Sequence, residues 1–198
     1  SNFDTEKVTD MYGMFAYCKA MKSLKLSSFD TKNVKNMSFM FFYCSSLPTL
    51  DLSGFNTENV TDMGAMFKYC LEMEKIDVAK FNTEKVTNMR GMFSGCRTIT
   101  SLDLSHFNPE NVTNTNTMFF SCDALTSLNL SSFKLEKVTD MGSMFFACEE
   151  MKTIYCDYAW KCAESTSMFS YCSKLKGAVA YDENKVDVKM ANPETGYF

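Results

Sequence analysis

The chain has 198 residues, of which 45% are hydrophobic, and its 20 Lys and Arg against 24 Asp and Glu leave a formal net charge of −4. That balance excludes a nucleic-acid surface, which needs clustered basic residues, and it supplies enough apolar mass for a packed core. No apolar run approaches the roughly 18 residues that would cross a bilayer, so direct membrane insertion is not expected.

The chain opens on Ser1-Asn2 without Met or a signal segment. It reads as an excised piece whose targeting segment lies elsewhere. From there one phrase governs the sequence. Phe3, Phe29, Phe55, Phe81, Phe107 and Phe133 follow one another at 26 residues, and Cys18, Cys44, Cys70, Cys96, Cys122 and Cys148 keep the same step. Met14, Met40, Met66, Met92, Met118 and Met144 agree, each followed by Phe. A fixed period in this range marks a solenoid, in which every turn meets the same neighbours and needs the same inward shapes. This accounts for 16 Met and 18 Phe in one chain. Residues 1–176 are therefore assigned to about seven repeats. Residues 177–198, polar and irregular, are assigned to a C-terminal cap or the start of a linker.

Residues 47–70 show one turn. Leu50 and Leu52 alternate with Thr49, Asp51 and Ser53, the period of a strand with one buried face. Val60, Met63, Met66, Phe67, Cys70 and Met73 then fall three or four apart, which predicts a short helix capped by Thr61-Asp62. Turn formers in Gly54-Phe55-Asn56 join the two. The expected fold is α/β, a solenoid in which each turn pairs a short parallel strand with a short crossover helix. Thr115 and Ser165 interrupt the first Met column, and looser packing is expected there. The N-terminal turn shows no cap signal, so its apolar face is expected to be covered by upstream residues or by self-association.

The six cysteines of the column sit at inward positions and are read as structural thiols, because stacked helices at about 8–10 Å lie beyond the usual Cα reach of a disulfide. Cys156, Cys162 and Cys172 fall in or beside the irregular last turn, and the sequence leaves their redox state open. No Cys-x-x-Cys occurs, and His106, the one histidine, has no ligand or nucleophile partner by spacing. No metal site, no cofactor and no catalytic residue is read from the chain, which is not expected to be an enzyme.

Two outward columns are the candidate ligand-binding face. Asp51, Asp77, Asp103 and Asn129 would stand on adjacent strands about 4.8 Å apart, open to a basic partner. Tyr17, Tyr43 and Tyr69 each precede a column cysteine and place a tyrosine stripe on three successive turns, a residue type favoured at interfaces.

"SLDLSHFNPENVTNTNTMFFSCDALTSLNLSSF" and the tail "AYDENKVDVKMANPETGYF" resemble the 26-residue repeat and following segment of the BspA-like leucine-rich-repeat surface proteins. The resemblance spans nearly the whole chain. It implies a right-handed leucine-rich-repeat-type solenoid, displayed extracellularly at a cell surface and used for adhesion or protein recognition; it carries over no functional residue. Asp4, Asp30, Asn56, Asn82 and Asn108 are placed as a variant of that motif's buried asparagine ladder. The function expected is an interaction module that binds a protein or glycan ligand on an outward face. The alternative is a passive spacer presenting another domain.

Overall fold

The computed structural model describes residues 3–198. Coils 1 to 6 begin at Phe3, Phe29, Phe55, Phe81, Phe107 and Phe133, and a shorter coil 7 begins at Trp160. The strand face of the coils is thin. β1 (Thr49–Leu50) pairs in parallel with β2 (Lys75–Ile76), and β3 (Ser127–Asn129) with β4 (Thr153–Tyr155). The longest ladder lies elsewhere. Asp10, Asn36, Asp62, Asn88, Asn114, Asp140 and Glu164 form an unbroken row of parallel bridges through all seven coils.

The predicted helix over Val60–Met73 is a chain of β-turns. Among the described residues the one helical segment is a 3-10 turn at Val188–Met190. The reason is twofold. Met63, Ala65, Phe67 and Tyr69 give their N–H groups to Asn88, Arg90, Met92 and Ser94 of the next coil, not to their own chain four residues back. The alternate amides close local turns, Met66 to Met63, Lys68 to Ala65 and Cys70 to Phe67. Ala65 at φ 53° and Tyr69 at φ 62° occupy the left-handed region, which a right-handed helix cannot contain. A positive φ at the third residue of a bonded turn is the type II signature. Chained β-turns, each closed between residues three apart, repeat their inward corners at a spacing close to that of a helix, so the apolar pattern alone does not separate them. The separating signal is glycine at Gly13, Gly91 and Gly95, all with positive φ.

The inward columns meet as stacked layers. Phe41, Phe67, Phe93, Phe119 and Phe145 lie with ring centroids 5.5–5.8 Å apart and planes within about 10°. Such pairs add about 0.5–1.5 kcal/mol each beyond area burial. Met37, Met63, Met89 and Met40, Met66, Met92 are fully buried beside them.

A hydroxyl ladder runs along one wall. Thr31 Oγ1 donates to the Asn56 carbonyl at 2.9 Å and accepts from the Asn56 N–H at 2.8 Å; Thr5 does the same for Asp30, and Thr57 for Asn82. Asp4, Asp30, Asn56, Asn82 and Asn108 therefore form no buried ladder. Each turns outward and accepts from the N–H two residues on. The row ends where Pro109 and Leu135 replace the threonine.

At Thr115 the Met column gives way to a hydroxyl that is fully buried with no hydrogen-bond partner. Residues 177–198 lie against coil 7. Phe169 N–H donates to Val186 O and Trp160 N–H to Ala191 O. Tyr171 N–H donates to the Tyr181 hydroxyl, and buried Tyr197 sets its ring edge-on to Phe169 at 5.3 Å.

Candidate functional site

The two outward columns have different chemistry. Asp51, Asp77, Asp103 and Asn129 are exposed, and each Oδ1 accepts from the backbone N–H two residues later: Ser53, Ala79, Ser105 and Ser131. These are Asx turns. Asp51 and Asp77 follow β1 and β2 and Asn129 ends β3, whereas Asp103 stands on a segment that forms no strand, so the column does not run along four adjacent strands as the sequence predicts. Hydrogen bonds from Ser53 hold the Asp51 carboxyl below its ordinary range, and those from Ser105 do the same for Asp103.

Tyr17, Tyr43 and Tyr69 come together as one patch. All three have φ of 61–62°. Tyr17 and Tyr43 stack at 6.0 Å, and Tyr43 meets Tyr69 at 5.3 Å. Phe42 fills the centre, 5.1 Å from Tyr17, 5.8 Å from Tyr43 and 5.9 Å from Tyr69, and Phe39 and Tyr12 extend the patch. Lys19 Nζ sits 4.6 Å from the Tyr43 ring centre and Lys68 Nζ 5.1 Å from that of Tyr69. These are cation–π distances.

The Tyr69 ring leans over coil 4. A Cβ on Gly95 would stand 2.5 Å from Tyr69 Cδ1, so glycine there leaves the ring its place. Below it, Phe39, Phe42, Gly64, Ala65, Lys68, Tyr69, Asn88, Arg90 and Gly91 enclose a cleft of about 280 Å³. Column reading missed Phe39, Phe42, Lys68 and Arg90. Of these only Phe39 is marked by a break in register, standing large between Gly13 and Ala65; Phe42 and Lys68 are both large in successive coils, and Arg90 lies between Gly64 and Asn116.

The column thiols form a structural row from coil 2 onward; Cys18, expected inward, is exposed because no coil precedes coil 1 among the described residues to cover it. Cys44, Cys70, Cys96, Cys122, Cys148 and Cys172 donate to the carbonyls of Phe15, Phe41, Phe67, Phe93, Phe119 and Phe145, at 2.9–3.2 Å. All nine cysteines are free. Burial pushes the Cys44 thiol up to about 11 and raises Cys70, Cys96, Cys122 and Cys148 as well. A thiol so shifted is protonated and unreactive near neutrality. His106 is exposed, in a shallow depression beside Asn82 and Asn108. Among the described residues no group of three or more His, Cys, Asp or Glu could hold a metal ion, and no helix is long and apolar enough to cross a membrane.

A stack of like coils with an aromatic ridge on one side defines a solenoid repeat protein. Residues 1–76 and 66–181 match the family described as "Mycoplasma protein of unknown function, DUF285", and the chain belongs to that family. The BspA-like character read from the 26-residue repeat stands with that membership. Among solved structures the chain is similar to a leucine rich cell surface protein from Faecalibacterium prausnitzii A2-165, at 14% identity and a TM-score of 0.37. The likeness covers 73% of this chain and 37% of that one. No curated protein matches.

Proposed function

We propose that this solenoid is a recognition module, displayed at a cell surface, that takes a protein or glycan ligand on the aromatic ridge of coils 1 to 3. The observation that carries the reading is the backbone beneath the tyrosines. A left-handed conformation costs an L-residue about 1–2 kcal/mol, and Gly95 fills the same place in coil 4 at φ 75°. The turn needs only a small residue there. Tyr17 nevertheless stands 62% exposed, beside two further tyrosines on the same strained position. Their rings are surplus to the fold and suited to contact. Surface display is supported by the resemblance of the repeat to BspA-like surface proteins. The Asp51, Asp77, Asp103 and Asn129 column has the lesser claim, since each of its side chains is engaged in its own turn.

The test is a panel of extracellular-matrix proteins beside a glycan array. It is probed with the native chain, with Tyr43→Ala/Tyr69→Ala, and with Asp51→Lys/Asp77→Lys. The expected result is binding that the tyrosine pair abolishes while the unfolding midpoint holds. Binding lost only in the aspartate reversal would move the site to the strand face. No binding by the native chain on either panel would leave the spacer reading. The exposed Phe3, Tyr12 and Met14 of coil 1 are proposed as a self-association face. Sedimentation should then show a concentration-dependent dimer that Met14→Lys dissociates, and a strict monomer of the native chain overturns this.

A further inference from the structure

The cleft beneath Tyr69 has an uneven lining that points to the chemistry of what it holds. Its floor is the small pair Gly64-Ala65 of coil 3. Phe39 and Phe42 of coil 2 rise on one side, with Tyr69 above. Arg90 and Asn88 of coil 4 close the other side, and the Lys68 stem lies across Gly91, its Cδ 3.6 Å from where a Cβ would stand. One wall is thus aromatic and the other cationic.

The cations lack counter-charges. Ion pairs elsewhere join Lys32 to Glu6 and Asp30, Arg97 to Asp123, Lys174 to Glu150, Lys185 to Asp182 and Lys189 to Asp187. Among the described residues no carboxylate lies within ion-pair reach of Lys68 or Arg90. Asp62, beside the floor, has its Oδ1 occupied by the Gly64 N–H at 2.8 Å and Asn88 Nδ2 at 3.0 Å. Burial, then the nearby Arg90, push the Lys68 amine below its ordinary range. In a chain of net charge −4, two adjacent cations without a carboxylate partner, one of them only over the Tyr69 ring, form a local arrangement that an anion relieves.

The backbone here has nothing to offer a peptide strand. Ala65, Phe67 and Tyr69 spend their N–H groups on Arg90, Met92 and Ser94, and the carbonyls of Gly64, Met66 and Lys68 accept from Phe39, Phe41 and Tyr43. Strand addition needs a free edge. The cleft suits one ring rather than an extended chain, being at the small end of ligand sites, which run to about 300–1,000 Å³. Asn88 Nδ2 has two hydrogens and gives one to Asp62, which leaves one for a hydroxyl.

Building on the recognition reading above, we propose that the Lys68–Arg90 cleft binds a carboxylated sugar unit of a glycan. The carboxylate is held by Lys68 and Arg90, and the ring's C–H face lies against Phe42 and Tyr69.

Oligogalacturonate and its fully methyl-esterified form are matched in ring and differ in charge. Titrated against the native chain by calorimetry and by NMR, the acid should bind and the ester should bind at least roughly tenfold more weakly, the scale of one lost charged hydrogen bond. Lys68→Gln and Arg90→Gln should each weaken the acid by a similar factor with the unfolding midpoint unchanged, and Arg90→Lys should retain part of the affinity. Equal binding of acid and ester overturns the proposal, as does indifference to Lys68→Gln. A poly-Glu peptide that displaces the sugar and binds more tightly also overturns it, by making the ligand an acidic peptide. If Tyr43→Ala/Tyr69→Ala abolishes binding of a matrix protein or neutral glycan while Lys68→Gln does not, the ridge stands as the site and the acidic-sugar assignment falls alone.

Discussion

Coils 3 and 4 share a backbone and differ in what stands on it. Tyr69 and Gly95 occupy the same left-handed position, and each passes its N–H forward, Tyr69 to Ser94 and Gly95 to Phe120. Coil 3 carries its ring there at a cost in strain; coil 4 relaxes to glycine and receives that ring above it. Ser121 and Ala147 continue the position in coils 5 and 6 with small side chains, also at positive φ. The comparison teaches that interior and ridge answer to separate demands. The Phe, Met and Cys layers are copied because neighbouring coils require it. The ridge is free to vary, so its large residues are the informative ones.

The largest expected effect strikes both regions alike, through the interior they share. A thiol whose folded pKa is raised stabilises the fold fully below its unfolded value, and that contribution is lost as pH climbs through the folded one. For Cys44 the window opens at 9.0 and runs to about 11; the deeper thiols, raised likewise, extend it upward. Circular dichroism should show cooperative unfolding in this alkaline range, and a chain still folded well above pH 11 would contradict the buried thiol row. Next in size, Phe93→Ala removes a ring stacked on Phe67 and Phe119 and should cost about 3–5 kcal/mol in urea denaturation. Phe41→Ala in coil 2 should cost a similar amount, because the interior does not distinguish the regions.

Thr57→Val should cost about 1–3 kcal/mol by stranding the Asn82 N–H and carbonyl that its hydroxyl serves. Gly95→Ala should destabilise by roughly 1–2 kcal/mol, from positive φ and the Tyr69 ring. In a Tyr69→Ala background part of that penalty should vanish, and a double-mutant cycle without coupling would deny that coil 4 makes room for coil 3. The smallest change is a gain: Thr115→Val discards a buried hydroxyl with no partner and should stabilise by about 1 kcal/mol.

The period, the inward columns and the parallel stacking were legible in the sequence because an interior built from like neighbours repeats its letters. The helix was misread for a physical reason. Linked turns and a helix both return a side chain to one face after three or four residues, and only the glycines at positive φ tell them apart. The threonine ladder was missed because Thr31 and Thr57 lie among other polar residues, where nothing marks a hydroxyl as buried. Tyr17, Tyr43 and Tyr69 stand out as a column. Lys68 and Arg90 do not, since the cleft joins residues of coils 2, 3 and 4 that no single register connects.

The turn-ridge amides have a further consequence. In coil 1 the N–H groups of Met11, Gly13, Phe15 and Tyr17 all face coil 2, and the same four places in coils 2 to 6 face onward. The stack therefore has polarity along this ridge: acceptors show at its leading end and donors at its trailing end, where Val186 O and the Tyr181 hydroxyl receive two of them. Duplicating or deleting one whole coil leaves every junction matched, whereas inverting a coil would set donor against donor. Such an array can lengthen or shorten in whole units without redesign.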